Sequence, residues 1–422
     1  MKQLVDILIV HAEQVLTMVP ISRETGGTDR DILDLGIVRD GAVAIQTGCI
    51  LDVGSTVDIL DVYESNLIID ATESVVAPGF IDAHTHAIFA GSREREFDLR
   101  VRGHDYLSLL KEGGGIHATV RATRSASADD LIQLALLRLE QSLSFGVTTI
   151  EVKSGYGLDV DNEIKILEVA RVIDELHPVR VVPTYLGAHV IPQEYRNNRA
   201  GYLELMTEIV IPEVAKRKLA LGCDVYLENG AFNYEEAKEV LTSGVRYGLR
   251  PKIHAGQFSD KGGPELVARL KGLSADHLEH ISDDGLSAMA ESGTVAVLLP
   301  GAALTLGDAF PNGRRFIDNG VDVAIATDNN PGTSRTENLP LMAALAVMRM
   351  GLSVTEGWRA ITINAAKAVG LGDRLGAIEP GRNADITVFS IPDYRALFYH
   401  FGINHAKLVI ANGQIVKGEA VS

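Results

Sequence analysis

The sequence predicts an α/β protein, a (β/α)8 barrel that carries a small β-sandwich built from both chain ends. Three observations predict it. Short alternating runs crowd the first 77 residues and return in the tail, apolar strands alternate with amphipathic Glu- and Leu-rich stretches in between, and eight of those strands can be counted. A chain of 422 residues has room for a barrel of roughly 250 residues and a second, smaller unit. The expected division is residues 1–77 plus 374–422 for the sandwich and 78–373 for the barrel.

The opening runs, Asp6 to Ile9, Ala42 to Gln46 and Leu67 to Asp70, are separated by Gly-containing turns and suit antiparallel strands. In the tail, Gly381 to Phe389 and Ala406 to Val416 alternate in the same way, with Asn412-Gly413 as a hairpin signal. Neither end alone has enough strands to bury a face, so the two are expected to share one unit. The barrel strands are read as Phe80 to His86, Thr148 to Ser154, Val179 to His189, Asp224 to Asn229, Pro251 to Ala255, Ser274 to Glu279, Val295 to Pro300 and Val323 to Asp328. Barrel active sites sit at the C-terminal ends of such strands.

Polar residues stand at those ends. Strand one closes on His84 and His86, and residues i and i+2 of a strand project to one side, so both imidazoles converge. Strands five, six and eight bring His254, His277 and Asp328. Neutral imidazoles and a carboxylate are the ligands of a catalytic zinc or ferrous ion that keeps a position open for water. Any one of the 12 histidines, taken alone, reads more readily as a hydrogen-bonded core residue. Unrelated core residues do not account for five placed at the same end of different strands.

Charge narrows the partners. Lys and Arg number 39 against 56 Asp and Glu, and the net charge of −17 disfavours nucleic acid. An anionic small substrate would then need a local arginine, because a planar guanidinium binds a carboxylate bidentately. There is no apolar run long enough to span a membrane, and Asp6 interrupts the apolar N-terminus where a signal peptide would continue. The expected location is the cytoplasm. Cys49 and Cys223 are far apart and form no metal or redox motif.

The ligand pattern resembles the amidohydrolase superfamily, whose distorted barrels carry His-x-His on strand one, His on strands five and six, and Asp on strand eight. Members with two metals usually add a carboxylated lysine on strand four. Here strand four offers Glu228 and no lysine, which implies one divalent ion per chain, Zn2+ or Fe2+. Lys153, at the end of strand two, is misplaced for that bridge and reads as a salt-bridge or helix partner.

Further motifs narrow the resemblance: Phe89-Ala-Gly-Ser-Arg93, Gly113-Gly-Gly-Ile116, Glu151-Val-Lys-Ser-Gly-Tyr-Gly157, Gly187-Ala-His189, Ser274-Ala-Asp-His277 and Thr327-Asp-Asn-Asn-Pro-Gly332. Together they are similar to the imidazolonepropionase family. The resemblance implies a homodimeric enzyme that hydrolyses the ring amide of 4-imidazolone-5-propanoate to N-formimino-L-glutamate. It implies His84, His86, His254 and Asp328 as metal ligands, with His277 and Asp328 managing the water's proton. Arg93, Tyr106, Tyr156, His189 and Gln257 match positions around the substrate, and Asn330, Gly332 and Thr333 match a loop at its polar end. Taken without the motifs, Arg93 reads equally as a solvated arginine and Tyr156 as a core aromatic. The Gly155-Tyr156-Gly157 segment reads as a close approach of backbone to ligand or as a plain turn.

The chain departs from the family in places. Ala255-Gly256-Gln257 follows His254 where members carry an acidic residue at one of the last two positions. Gln257 cannot act as a base, although it can orient a ring through hydrogen bonds. Asn229 and Arg335 are also unusual. Two alternatives stay open, another ring hydrolase or an aminoheterocycle deaminase on this scaffold, and a catalytically silent metal-barrel interaction protein. Gln257 weakens the deaminase, which would place Glu there, and the intact ligand set weakens the silent scaffold.

Overall fold

A computed structural model describes residues 2–20, 34–103 and 114–419. Tyr106 and Gly113 of the expected motifs lie outside them. The N-terminal strands are β1 (Gln3–Leu4), β2 (Ile7–Leu16), β3 (Ile37–Gln46), β4 (Cys49–Ser55), β5 (Tyr63–Glu64), β6 (Ile68–Asp70) and β7 (Val75–Pro78). The barrel strands follow as β8 (Phe80–Asp82), β9 (Val147–Lys153), β10 (Arg180–Ala188), β11 (Gly222–Leu227), β12 (Arg250–Ala255), β13 (Ser274–His277), β14 (Val295–Leu298) and β15 (Val323–Ile325). The tail adds β16 (Ile386–Phe389), β17 (Ala406–Ala411) and β18 (Gln414–Lys417).

The chain divides into two compact units, Met1–Ala83 with Glu140–Thr149 and Asn338–Ser422, and His84–Leu139 with Ile150–Glu337. In the first, strands from both chain ends join one sheet in the order β18-β17-β16-β7-β2-β3-β4, with β6 on β2 and a separate β1-β5 pair. Alternation decides its two faces. Ile7, Ile9, Val43 and Ile45 pack with Val76, Ile386, Val388 and Ile410 on one side, while Leu8, Val10, Ala42 and Ala44 meet Ile59 and Tyr63 on the other. The Asn412-Gly413 turn between β17 and β18 has both residues at positive φ (49° and 74°), as a two-residue hairpin that matches strand twist requires.

The barrel sheet runs β15-β14-β13-β12-β11-β10-β9-β8, with parallel pairing from β10 through β15. A parallel bridge between Thr85 and Asn329 joins the segments that follow β8 and β15. All eight expected strands are present, but all except the fifth end earlier than the sequence reading had them. The first stops at Asp82, the fourth at Leu227, the sixth at His277 and the eighth at Ile325, so His84, His86, Glu228 and Asp328 lie just past strand ends. The backbone turns left-handed at His277 (φ 80°) and Leu278 (φ 66°), where β13 ends, and again at Asp328 (φ 52°) beyond β15.

Capped helices return the chain between strands. Val160–Leu176 starts at Asp159, whose side chain accepts from Asn162 N, and Tyr234–Arg246 opens on an Asn233/Glu236 capping box. No helix of the described residues is long and apolar enough to cross a membrane.

Candidate metal centre

Five residues meet at the C-terminal ends of β12 and β13 and just past those of β8 and β15. The ring centroids of His84 and His254 are 4.5 Å apart, those of His84 and His86 5.3 Å, and those of His254 and His277 5.4 Å. Asp328 Oδ1 stands 3.5 Å from His84 Nε2 and 3.6 Å from His86 Nε2. These contacts are too long for hydrogen bonds. They are the spacing expected of ligands that share an ion with bonds of about 2.1 Å. Among the described residues His84 belongs to three groups whose ligand atoms lie within 4.8 Å of one another, with His254 and His277, with His86 and Asp328, and with Glu151 and Asp276.

The nitrogens themselves test the fit. His84 Nε2 and His254 Nε2 are buried without a hydrogen-bond partner, a cost that native interiors avoid unless something else satisfies the atom. Burial also pushes His84, His86 and His254 well below the usual histidine range, so each imidazole is neutral at pH 7 and has a lone pair to give. Burial likewise lowers His277 to about 4. The donor set suits a divalent cation.

Behind the imidazoles lies a charged layer that the sequence reading had largely missed. His84 Nδ1 contacts Asp276 Oδ2 at 2.6 Å, which places the ring proton on Nδ1 and turns Nε2 towards Asp328. Asp224 Oδ2 is 3.0 Å from His254 Nδ1 without the geometry of a hydrogen bond, so the carboxylate lies beside a neutral ring. Lys153 Nζ reaches Asp224, Glu151 and Asp276 at 2.7, 3.0 and 3.2 Å, and Lys252 Nζ reaches Glu151 at 3.0 Å. The salt-bridge reading of Lys153 holds. A signal was available in the sequence, since Glu151 and Lys153, and Lys252 and His254, are i, i+2 pairs inside apolar strands and must share a face.

The expected substrate residues are placed unevenly. Tyr156 and His189 stand against the centre, with ring centroids 5.7 and 5.2 Å from that of His86. His189 is held at about 4 by burial and contacts Gly155 O through Nδ1 at 3.1 Å. The carboxylate of Glu163 accepts from the backbone N–H groups of Gly155, Gly157 and Leu158 and so shapes this loop. A Cβ on Gly155, where φ is 99°, would stand 2.7 Å from Leu186 O and 2.9 Å from His189 Nδ1. That glycine therefore lets backbone pack on backbone and on His189.

Arg93 lies over Gly332, where a Cβ would come 2.3 Å from Nη1, and its Nε donates to Glu96 Oε2 at 2.9 Å. Asn330 directs its polar atoms into its own loop. Its Nδ2 donates to Asp328 O (2.6 Å) and its Oδ1 accepts from Gly332 N (2.7 Å) and Thr333 N (2.8 Å). Thr333 Oγ1 is 3.4 Å from Asp328 Oδ2. Gln257 Oε1 accepts from Tyr226 Oη at 2.7 Å, and the loop that carries it is pinned by Glu228, which accepts from Phe258 N and Ser259 N.

Fold and site define a metal-dependent hydrolase barrel, and the profile of the Amidohydrolase family matches residues 75–416, so the chain belongs to the amidohydrolase family. Within it the chain falls among the imidazolonepropionases. It is 44% identical to the imidazolonepropionase of Brevibacillus brevis over 420 residues, 97% of this chain and 98% of that one. The imidazolonepropionase of Geobacillus thermodenitrificans is also 44% identical, over 98% of both chains. Solved structures share the fold at low identity. An adenosine deaminase from Xanthomonas campestris with bound zinc superposes with a TM-score of 0.74 at 18% identity, covering 98% of this chain and 93% of its own. Guanine deaminase of E. coli gives 0.72 at 16%, covering 98% and 99%.

Proposed function

We propose that the chain is a cytoplasmic, homodimeric hydrolase that opens the ring amide of 4-imidazolone-5-propanoate to give N-formimino-L-glutamate. The observation that carries the chemistry is the convergence of His84, His86, His254 and Asp328, with two buried Nε2 atoms lacking partners. Full-length similarity to imidazolonepropionases supports the substrate. One zinc or iron(II) ion bound by those four residues would polarise the ring carbonyl and lower the pKa of water towards ~7.

The protein's own residues do the rest. His277, neutral and adjacent, accepts the proton of the attacking water and returns it to the ring nitrogen as the C–N bond breaks. Asp328 Oδ2, turned towards Thr333, shares that proton. Tyr156 and His189 close one side of the ring, and Gln257, fixed by Tyr226, orients it. Arg93 supplies the positive charge that a propanoate needs beside the Gly332 loop. The reaction balances with water as the only co-reactant: its oxygen joins the carbonyl carbon and its protons pass to the new carboxyl group and the ring nitrogen, the former ionising at neutral pH.

Turnover of imidazolonepropionate, hydantoin-type rings and aminated heterocycles by the purified protein tests the reading. Selective opening of imidazolonepropionate supports it. Release of ammonia from an aminated ring as the main activity would replace it with the deaminase.

A further inference from the structure

Five charged side chains, Glu151, Lys153, Asp224, Lys252 and Asp276, are buried to 1% exposure or less inside a barrel whose interior is ordinarily filled by branched apolar residues. Stability does not explain them. Replacing a buried ionic cluster with well-packed apolar side chains is often neutral or favourable, so a retained cluster calls for another reason. Its wiring supplies one. Asp276 Oδ2 is the atom that contacts both His84 Nδ1 (2.6 Å) and Lys153 Nζ (3.2 Å). Asp224 Oδ2 is the atom that contacts both His254 Nδ1 (3.0 Å) and Lys153 Nζ (2.7 Å).

We propose that Lys153 is the positioning residue of the metal centre, the ammonium that touches both carboxylate oxygens beside which His84 and His254 stand. Because ring and ammonium meet on the same oxygen, a shift of Nζ moves both oxygens and tilts both imidazoles. Ser274 Oγ, 2.5 Å from Asp276 Oδ1, steadies one of the two from the other side. His86 Nδ1 and His254 Nδ1 are both buried without a hydrogen-bond partner, but His254 Nδ1 has the Asp224 oxygen 3.0 Å away, and that oxygen is one Lys153 holds.

The proposal rests on the metal reading, and the test separates the two. The dissociation constant for zinc is measured by competition with a chromophoric chelator, and the visible absorption of the cobalt(II)-substituted protein is recorded, for wild type, Lys153→Met and Lys153→Gln. Circular dichroism first establishes that each variant is folded. We expect Lys153→Met to bind zinc roughly 10- to 100-fold more weakly, the range for loss of a group supporting a ligand. Its cobalt spectrum should change as well, which loss of stability alone would not produce. Lys153→Gln keeps two N–H donors, one bond closer to the backbone and uncharged, and should recover part of both, and it carries the test alone should Lys153→Met not fold. Folded variants with wild-type or tighter binding and an unchanged cobalt spectrum overturn the proposal. A wild type that takes up neither zinc nor cobalt overturns the metal reading and the proposal with it.

Discussion

Arg93 combines two demands in one side chain. It has to bring a guanidinium to the Gly332 loop and be held there, and Glu96 holds it at 2.9 Å without removing Nη1 from that loop. If it clamps a propanoate, Arg93→Met should raise KM by an amount worth about 1.5 to 3 kcal/mol, the range for hydrogen bonds to charged groups. A ring substrate without the carboxylate should not respond, which separates binding from damage to the fold. In the proposed mechanism Gln257 and His277 divide the remaining work. Gln257→Ala should weaken binding and leave the shape of the pH profile intact, whereas His277→Ala should lower kcat by roughly 10²- to 10⁴-fold. Equal losses of turnover from both, with metal retained, would contradict that division.

Glu279 shows how strongly this region resists charge. Burial pushes its carboxyl up to about 8, with Asp328, Asp308 and Glu228 adding to the rise. A carboxyl whose folded pKa lies above its unfolded one contributes stability that is complete below the unfolded value and is lost as pH rises through the folded value. In metal-free protein, wild type should therefore lose stability between about pH 4.5 and 8 relative to Glu279→Gln. Melting temperatures of both proteins across that window check it, and parallel curves would show that Glu279 ionises normally.

At the scale of elements, the site depends on strand ends that stop short and on loops tied by buried carboxylates. Glu163 ties the loop after β9 and Glu228 ties the loop after β12. The Gly155 loop has no spare room, since a side chain there meets both a positive φ and the Leu186 carbonyl. Gly155→Ala should cost about 2 kcal/mol or more in unfolding free energy, from the left-handed backbone and the contact together. It should also raise KM by displacing His189, while metal content stays at the wild-type level. A variant with unchanged stability and KM would mean that the loop can yield.

The order of these elements was legible because the period of the apolar pattern changes where the architecture changes. All eight barrel strands and the hairpin at Asn412-Gly413 follow from it. The strand ends were not legible, because left-handed turns at His277 and Asp328 are made by residues that look ordinary in a strand. Among site residues, His84, His86, His254, His277 and Asp328 stood out because ligand types cannot be hidden in apolar runs. Asp224 and Asp276 escaped notice because a carboxylate one residue from a histidine, or on another strand, gains its meaning only when the barrel brings Lys153 between them.

For the whole molecule, these parts describe an amidohydrolase barrel, and the proposed function rests on one metal ion that His84, His86, His254 and Asp328 would hold above a layer of buried charge. The most direct measurement is metal titration of turnover. Protein stripped with a chelator should lose imidazolonepropionate opening and regain it in proportion to added zinc or iron(II), saturating at one equivalent per chain. Full activity after stripping, or a requirement for two equivalents, would contradict a centre with one metal ion.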